Sequence, residues 1–426
     1  MKIYSYTLGC KVNQYETRSI LEPFLKDGYT ETENIPDCDV AIINSCTVTS
    51  TADSKTRQIL HRVRTLNPDC IIVLTGCSVQ TNFASLAGES TADIIVGNGA
   101  INKIYDLVNG FKGDKIRLEY KHLKGETYNT APITDFGSRT RAFMKIEDGC
   151  QRYCTYCAIP YARGFVRSRG IEDIKNEAQV LSQKGYSEIV LTGINLTAYG
   201  MGESYNICDA IEAVSAVDGI KRVRLGSLEP DIITDEMIER LKSYNKLCPQ
   251  FHLSLQSGSD KILKAMNRHY DKAFYYDLVC RLRAGFENCA ITTDVMVGFS
   301  GEGETEFNES YEFCRLVSFA KMHIFAYSRR PGTVADGFKG QITNKEKQSR
   351  SRKLAALDTL CSNEFLNNQL NRQLNVLFET PLGNHSRGFS ENYCEVEVKN
   401  AIISPGEIKK VKPVSVNNGI LEAILV

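Results

Sequence analysis

The first hundred residues repeat one pattern of apolar and polar positions three times. KIYSYTLGC ends at Cys10, DVAIINSC at Cys46 and CIIVLTGC at Cys77; each is a short apolar or alternating run, read as a β-strand, followed by a small or polar residue and a cysteine. QYETRSILEPFLKDGY lies between the first two and TADSKTRQILHRVRTLNP between the second and third, both with helical periodicity. Strand, helix, strand at this spacing predicts βαβ units and a parallel sheet, which ADIIVGN extends. Parallel strands share one C-terminal edge, where open α/β sheets bind ligands. The three cysteines are therefore expected to meet in space.

Residues 113–138 are rich in Gly, Thr and Pro and read as a linker between an N-terminal domain (1–112) and a second βα series (139–368). In that series RAFMKIED, EIVLTGIN, RVRLGSLEP, FHLSLQSG, AITTDVMVGF and KMHIFAYS are strand-like, with helical runs between them. Six such repeats fit a partial parallel barrel with its active face at the C-terminal strand ends. A long helix is expected over 343–372. The tail (369–426) then offers LNVLFET, NYCEVEVKN, GEIKKVKPVSV and GILEAILV, short strands broken by Gly, Asn and Pro, which predict a small antiparallel barrel. The fold class is thus α/β with a terminal β-barrel. DVMVGFSGEGETEF holds Gly298, Gly301 and Gly303 without a phosphate-loop lysine and reads as a tight βα connection.

At 426 residues, 42% apolar and 24% charged, the chain has the composition of a soluble protein of several domains. No run approaches 18 apolar residues, and the start has no apolar stretch with a cleavage site; a cytoplasmic, membrane-free protein is expected. Fifteen cysteines then belong to metals or catalysis rather than disulfides. Net charge is zero, so any polyanion must meet local patches: ten Lys and Arg against four acids over 321–372, and four bases without an acid in SKTRQILHRVR.

EDGCQRYCTYCAIPYARG (147–164) follows the first barrel strand and packs Cys150, Cys154 and Cys157 into eight positions. Zinc competes for such thiols, but a structural zinc takes four ligands and no fourth Cys or His lies near in sequence. Three inert core cysteines sit badly beside polar DGCQRY. An iron–sulfur cluster with one iron left open is the third reading and the favoured one. The triad Cys10, Cys46, Cys77 reads as a second such site, against coincidence of three buried cysteines.

The order C-x3-C-x2-C with Tyr156 before the last cysteine, after the first strand of a βα series, resembles the radical S-adenosylmethionine superfamily. YTLGCKVNQYET, GCQRYCTYCAIPYARG and the β-rich tail together resemble the methylthiotransferases over essentially the whole chain. The resemblance implies an N-terminal cluster domain, a radical barrel and a terminal TRAM domain. It also implies two 4Fe–4S clusters, an auxiliary one on Cys10, Cys46 and Cys77 and a radical-generating one on Cys150, Cys154 and Cys157. S-adenosylmethionine would complete the second and yield the 5′-deoxyadenosyl radical, while sulfur methylated at the first is inserted at an unreactive C–H bond. Lys11, Val12 and Asn13 after Cys10 make the segment most similar to the MtaB branch, which acts on C2 of threonylcarbamoyl-adenosine at tRNA position 37. Sister branches act on isopentenyl-adenosine or on an aspartate of a ribosomal protein. A non-enzymatic RNA-binding iron–sulfur protein is the other class, against which the open iron argues.

Further cofactor contacts are expected at Gly193 and Asn195 in LTGIN, where radical enzymes often carry Gly-Gly-Glu, and at Glu229 and Gln256 at strand ends. Arg329 and Arg330 could fork onto the substrate carboxylate, against phosphate contact or a surface ion pair. A tRNA, an electron donor of unknown identity and a monomeric state complete the expected picture.

Overall fold

The computed structural model describes residues 1–426 apart from 49, 89, 90, 129 and 138 and the side chains of residues 50 and 380. In the N-terminal unit, β1 (Lys2–Thr7), β2 (Thr30–Glu31), β3 (Val40–Ser45), β4 (Ile71–Gly76), β5 (Ile94–Val96) and β6 (Ile116–Leu118) form one parallel sheet in the order β2-β1-β3-β4-β5-β6. Helix α1 (Lys11–Lys26) joins β1 to β2, α2 (Ser50–Leu66) joins β3 to β4, and α3 (Cys77–Thr81) follows β4. All six residues of β3 are buried, as a central parallel strand covered on both faces requires. β6 corrects the expected linker: Ile116–Leu118 pairs with β5, so the sheet runs past residue 112. Positions 129 and 138 of that linker lie outside the described residues.

The second unit is an open parallel barrel. Its strands are β7 (Arg141–Lys145), then Glu188–Thr192, residues 222–228, Gln250–Leu253, Ala290–Val297 and Lys321–Ala326. Residues 222–228 are one strand kinked at Gly226: Arg222–Leu225 pairs with Glu188–Thr192, and Ser227–Leu228 pairs with Gln250–Leu253. Among the described residues β7 and Lys321–Ala326 do not pair with each other, which leaves a gap in the wall. Helix α1 packs against β7 at that gap. The long helix spans Asn344–Asn367, shorter than the 343–372 expected, and opens with a capping box between Thr343 and Glu346. No helix among the described residues is long and apolar enough to cross a membrane.

The tail closes into a barrel of five strands, not four. The additional strand, His385–Ser390, buries Ser386, Gly388 and Ser390 on its inner face, so no apolar alternation announced it. One pairing, Glu395–Lys399 with Ile420–Leu425, is parallel and the rest are antiparallel. The five strands enclose Leu374, Val376, Phe378, Val396, Val411 and Leu421.

Arginines at the N-terminal ends of the radical-barrel strands fasten this tail. Arg224 donates to the carbonyls of Glu391 (3.0 Å) and Ser390 (3.2 Å) and lies 4.7 Å from the Tyr393 ring. Arg222 donates to the carbonyls of Phe389 and Asn375, and Arg141 pairs with Glu379 at 2.6 Å. Glu188, 0% exposed, neutralises Arg224 at 2.8 Å and Arg222 at 3.4 Å. Despite burial, these guanidiniums hold its carboxyl below the ordinary glutamate range. Glu188→Gln strands two buried cations and should lower stability by about 3–5 kcal/mol in denaturant unfolding. Glu422→Gln, on a half-buried carboxylate that accepts from Lys399, Ser415 and Asn417 at the surface of the tail, should move the midpoint far less.

Candidate active site

The N-terminal triad forms because β1, β3 and β4 end at one edge and each delivers a cysteine there. Gly9 and Gly76 precede Cys10 and Cys77 with φ of +108° and +103°, conformations that turn the chain at the strand end. A Cβ on Gly76 would stand 2.3 Å from the Ser45 carbonyl, so a side chain there would part β3 from β4. Asn13, one turn into α1, pins the edge. Its Nδ2 donates to the carbonyls of Leu8 (2.8 Å) and Ser45 (3.0 Å), and its Oδ1 lies 3.7 Å from Cys10 Sγ and 4.0 Å from Cys77 Sγ. Cys46 Sγ packs within 3.1 Å of where a Cβ on Gly9 would be. Cys10, Cys46 and Cys77 thus converge, as the repeated pattern predicts. Burial pushes the Cys77 thiol up to about 12, against the pull of Arg163.

Arg163 ties this triad to the second one. It is fully buried and lies six residues after Cys157. Its Nε donates to Cys77 Sγ at 3.3 Å, one Nη to Asn13 Oδ1 at 2.8 Å, and its fork grips Glu16 at 2.5 and 2.8 Å. Asp148 accepts from it at 3.2 Å, and Lys145 bridges the same two acids at 2.7 and 2.8 Å. Burial opposes the charge on Lys145, but Asp148 and Glu16 hold it above the ordinary lysine value. Asn13, Glu16, Asp148 and Arg163 all stand in the two quoted cysteine segments, but nothing in their spacing shows that they pair across 150 residues.

The second triad sits on the loop after β7. Gly149, at φ +89°, passes so close to Phe165 that a Cβ would lie 1.9 Å from its carbonyl oxygen. Burial pushes Cys150 and Cys157 up to about 12. Here too one thiol receives an arginine: Arg268 donates to Cys154 Sγ at 3.3 Å and pairs with Glu229 at 2.6 Å. The four charged groups Glu16/Arg163 and Glu229/Arg268 therefore treat the two triads alike.

A cavity of about 200 Å³ opens beside Cys157, lined among others by Tyr156, Gln256, Met296 and Arg330, and by Thr47 and Val48 next to Cys46. A second, of about 440 Å³, lies in the barrel between Cys10, Lys11, Gly193, Arg224, His323, Lys321 and Tyr393 of the tail. Of the expected cofactor contacts, Tyr156 and Gln256 face the first. Gln256 has φ +67°, and its Oε1 is buried without a hydrogen-bond partner. Glu229 pairs with Arg268 beside Cys154. Gly193 lines the second cavity. Asn195 turns inward, its N–H donating to Glu147 Oε2 at 2.7 Å. The arginines diverge: Arg330 reaches the first cavity but is paired with Asp53 at 2.8 Å and Thr47 at 3.1 Å, while exposed Arg329 is bound to Asp336 at 3.0 Å. Neither fork is open toward a substrate carboxylate.

The donor set suits the implied groups. Among the described residues no three or more His, Cys, Asp or Glu close tightly enough to hold one metal ion; a cubane spreads its thiolates over separate irons and takes a wider triad. All six thiols lack a disulfide, and the orphaned Gln256 oxygen lines a space next to Cys157 that a polar cofactor can fill.

Burial pushes Glu147, three residues before Cys150, up to about 8, leaving it protonated at neutral pH. A carboxyl raised on folding contributes stability below its unfolded value of 4.5, and that stability is lost as pH rises toward 8. Glu147→Gln keeps the acceptor for Asn195 and cannot ionise. Thermal unfolding at several pH values should show the variant gaining on the wild type above about pH 5 and levelling off above about pH 8.

Residues 144–314 match the radical SAM superfamily and residues 2–97 the uncharacterized protein family UPF0004. A protein of Bacillus subtilis named threonylcarbamoyladenosine tRNA methylthiotransferase MtaB is 38% identical, covering 96% of this chain and 92% of its own. Its namesake in Aquifex aeolicus is 35% identical over 93% and 96%. A Clostridium botulinum protein named tRNA-2-methylthio-N(6)-dimethylallyladenosine synthase is 36% identical over 82% and 79%. Among solved structures, the radical S-adenosylmethionine methyltransferase TsrM of Kitasatospora setae shares the fold, with a TM-score of 0.58 at 12% identity over 78% of this chain and 76% of that one. With relatives at this identity over nearly the whole of both chains, the chain belongs to the radical S-adenosylmethionine methylthiotransferase family, in its MtaB group.

Proposed function

We infer that this chain adds a methylthio group to C2 of N6-threonylcarbamoyl-adenosine at position 37 of tRNA. The observation that carries this reading is the shared cavity: Cys157 from one triad and Thr47–Val48 beside Cys46 of the other line the same space, and Arg163 holds the two loops together. We propose Cys10, Cys46 and Cys77 as ligands of the auxiliary 4Fe–4S cluster and Cys150, Cys154 and Cys157 as ligands of the cluster that takes S-adenosylmethionine. When bound, these groups supply one-electron reduction, C–H activation, and the sulfur and methyl to be transferred. The protein's part is placement and exclusion of water. Tyr156 and Gln256 line the space beside Cys157; Arg268 and Arg163 each orient one thiolate and offset its charge.

Metal binding requires all six thiols to deprotonate, so loading releases protons and the buried arginines favour it. Exposed Lys55, Arg57 and Arg62 on α2, Lys345 and Arg352 on the long helix, and Lys409 and Lys410 on the tail offer phosphate contacts. The chain is proposed to act as a monomer with a separate electron donor, which the exposed Tyr153 of the Cys150–Cys157 loop leaves room to approach.

Anaerobic reconstitution should load about eight irons per chain, falling to about four in a Cys10/Cys46/Cys77→Ala variant; four in both refutes the auxiliary cluster. Nucleoside mass spectrometry of tRNA from a strain lacking the protein should lose methylthio-threonylcarbamoyl-adenosine. Loss of the isopentenyl type alone assigns the chain to the sister activity.

A further inference from the structure

We propose that Lys11 is the specificity-determining residue that receives the carboxylate of the threonylcarbamoyl group, an inference that rests on the function proposed above. The cavity of about 440 Å³ in the barrel has no Asp or Glu in its lining, yet Lys11, Arg224, Lys321, His252 and His323 all contribute to it. Four of these five are already accounted for. Arg224 is paired with Glu188, Lys321 with Asp358, and His252 stands 3.4 Å from Asp294. Partial desolvation and the neighbouring His252 lower His323 from its ordinary value and disfavour its charged form. Lys11 alone among the described lining residues is a cation without a hydrogen bond or ion pair, although most of its side chain is shielded from water. Burial and the neighbouring Arg141 and Arg224 disfavour its charge, Glu188 opposes them without contacting it, and an anion entering the cavity relieves the cost.

The position of Lys11 fits the chemistry. Cys10 lines the same cavity, so an adenine that brings C2 toward that thiol carries its N6 substituent into the space Lys11 shares. C2 and C6, which bears N6, belong to one rigid aromatic ring, so C2 and the N6 substituent cannot be placed independently. Lys11 is the first residue of α1, whose first two turns also hold Asn13 and Glu16, both locked to Arg163. The backbone bearing the ammonium is therefore fixed relative to both triads. Tyr393 of the terminal barrel closes the other side of the cavity, so the N6 group is met by residues from all three units. A neutral isopentenyl group would gain nothing from Lys11 and would leave it unpaired.

The test uses the reconstituted full-length protein and anticodon stem-loop RNAs carrying threonylcarbamoyl-adenosine, its threonine carboxamide, or unmodified adenosine at position 37. Binding is read by fluorescence anisotropy at fixed salt. Wild type should bind the carboxylate RNA about 10- to 100-fold more tightly than the carboxamide RNA, as a charge-assisted hydrogen bond provides. Lys11→Met should bind both at the weaker level with unchanged affinity for unmodified RNA, and Lys11→Arg should restore most of the preference. Should Lys11→Met fail to hold its iron, Lys11→Gln carries the same comparison. A preference for the carboxylate that survives in both neutral variants overturns the assignment while leaving the proposed function standing. So does equal binding of carboxylate and carboxamide by a wild type that still methylthiolates the former. A wild type that does not methylthiolate threonylcarbamoyl-adenosine at all refutes the function itself, and the inference with it.

Discussion

The guanidinium of Arg163 holds the two halves of the site in register. A cation this deep is tolerable only if its charge and its N–H groups are matched, and here Glu16, Asp148, Asn13 and the Cys77 sulfur supply the match. Two of these partners come from α1, one from the start of α3 and one from the segment just after β7. Satisfying one side chain therefore fixes three segments at once. Lys145 adds a second cation bridging the same acids, and Arg167 a third on Asp148 at 3.3 Å. Such a network is a weak source of net stability, because desolvation cancels much of the attraction. Its consequence is positional: the cysteine loop of one unit cannot move without the other.

Placement of this kind is what two-cofactor chemistry needs. Radical chemistry is supplied by the bound groups, and a protein gains little by touching the reacting atoms. It gains much by keeping two reactive centres and a base at fixed separation. The open barrel contributes the gap into which the start of α1 brings Cys10 and Lys11. The repeated device of an arginine on one thiol of each triad offsets part of the negative charge that three thiolates concentrate in a dry site.

The terminal barrel is fastened by the same kind of contact at the opposite end of the strands. Arg224 and Arg222 leave the barrel wall, share Glu188, and cap carbonyls of the tail. The tail is thus a rigid rim of the cavity rather than a tethered binding module, and Tyr393 stands in the cavity wall.

Periodicity and punctuation in the chain were enough to determine the parallel N-terminal sheet, the six-stranded barrel and the convergence of Cys10, Cys46 and Cys77. Each is a local pattern, strand by strand, and parallel strands have one common edge. The spacing of Cys150, Cys154 and Cys157 marked the second triad for the same reason. Tertiary structure decided the rest. His385–Ser390 escaped notice because its buried face is Ser and Gly, and Ile116–Leu118 because three residues carry too little pattern. For Arg329 and Arg330 the chain left a substrate carboxylate, a phosphate and an ion pair open, and folding supplied Asp336 and Asp53. Lys11 and Asn13 marked a branch in the sequence and Arg163 and Glu16 marked nothing, but only folding placed three of the four in one buried network and left Lys11 without an ion pair. Burial and pairing are relations between distant segments, and they set the charge of a site in a way that no local spacing encodes.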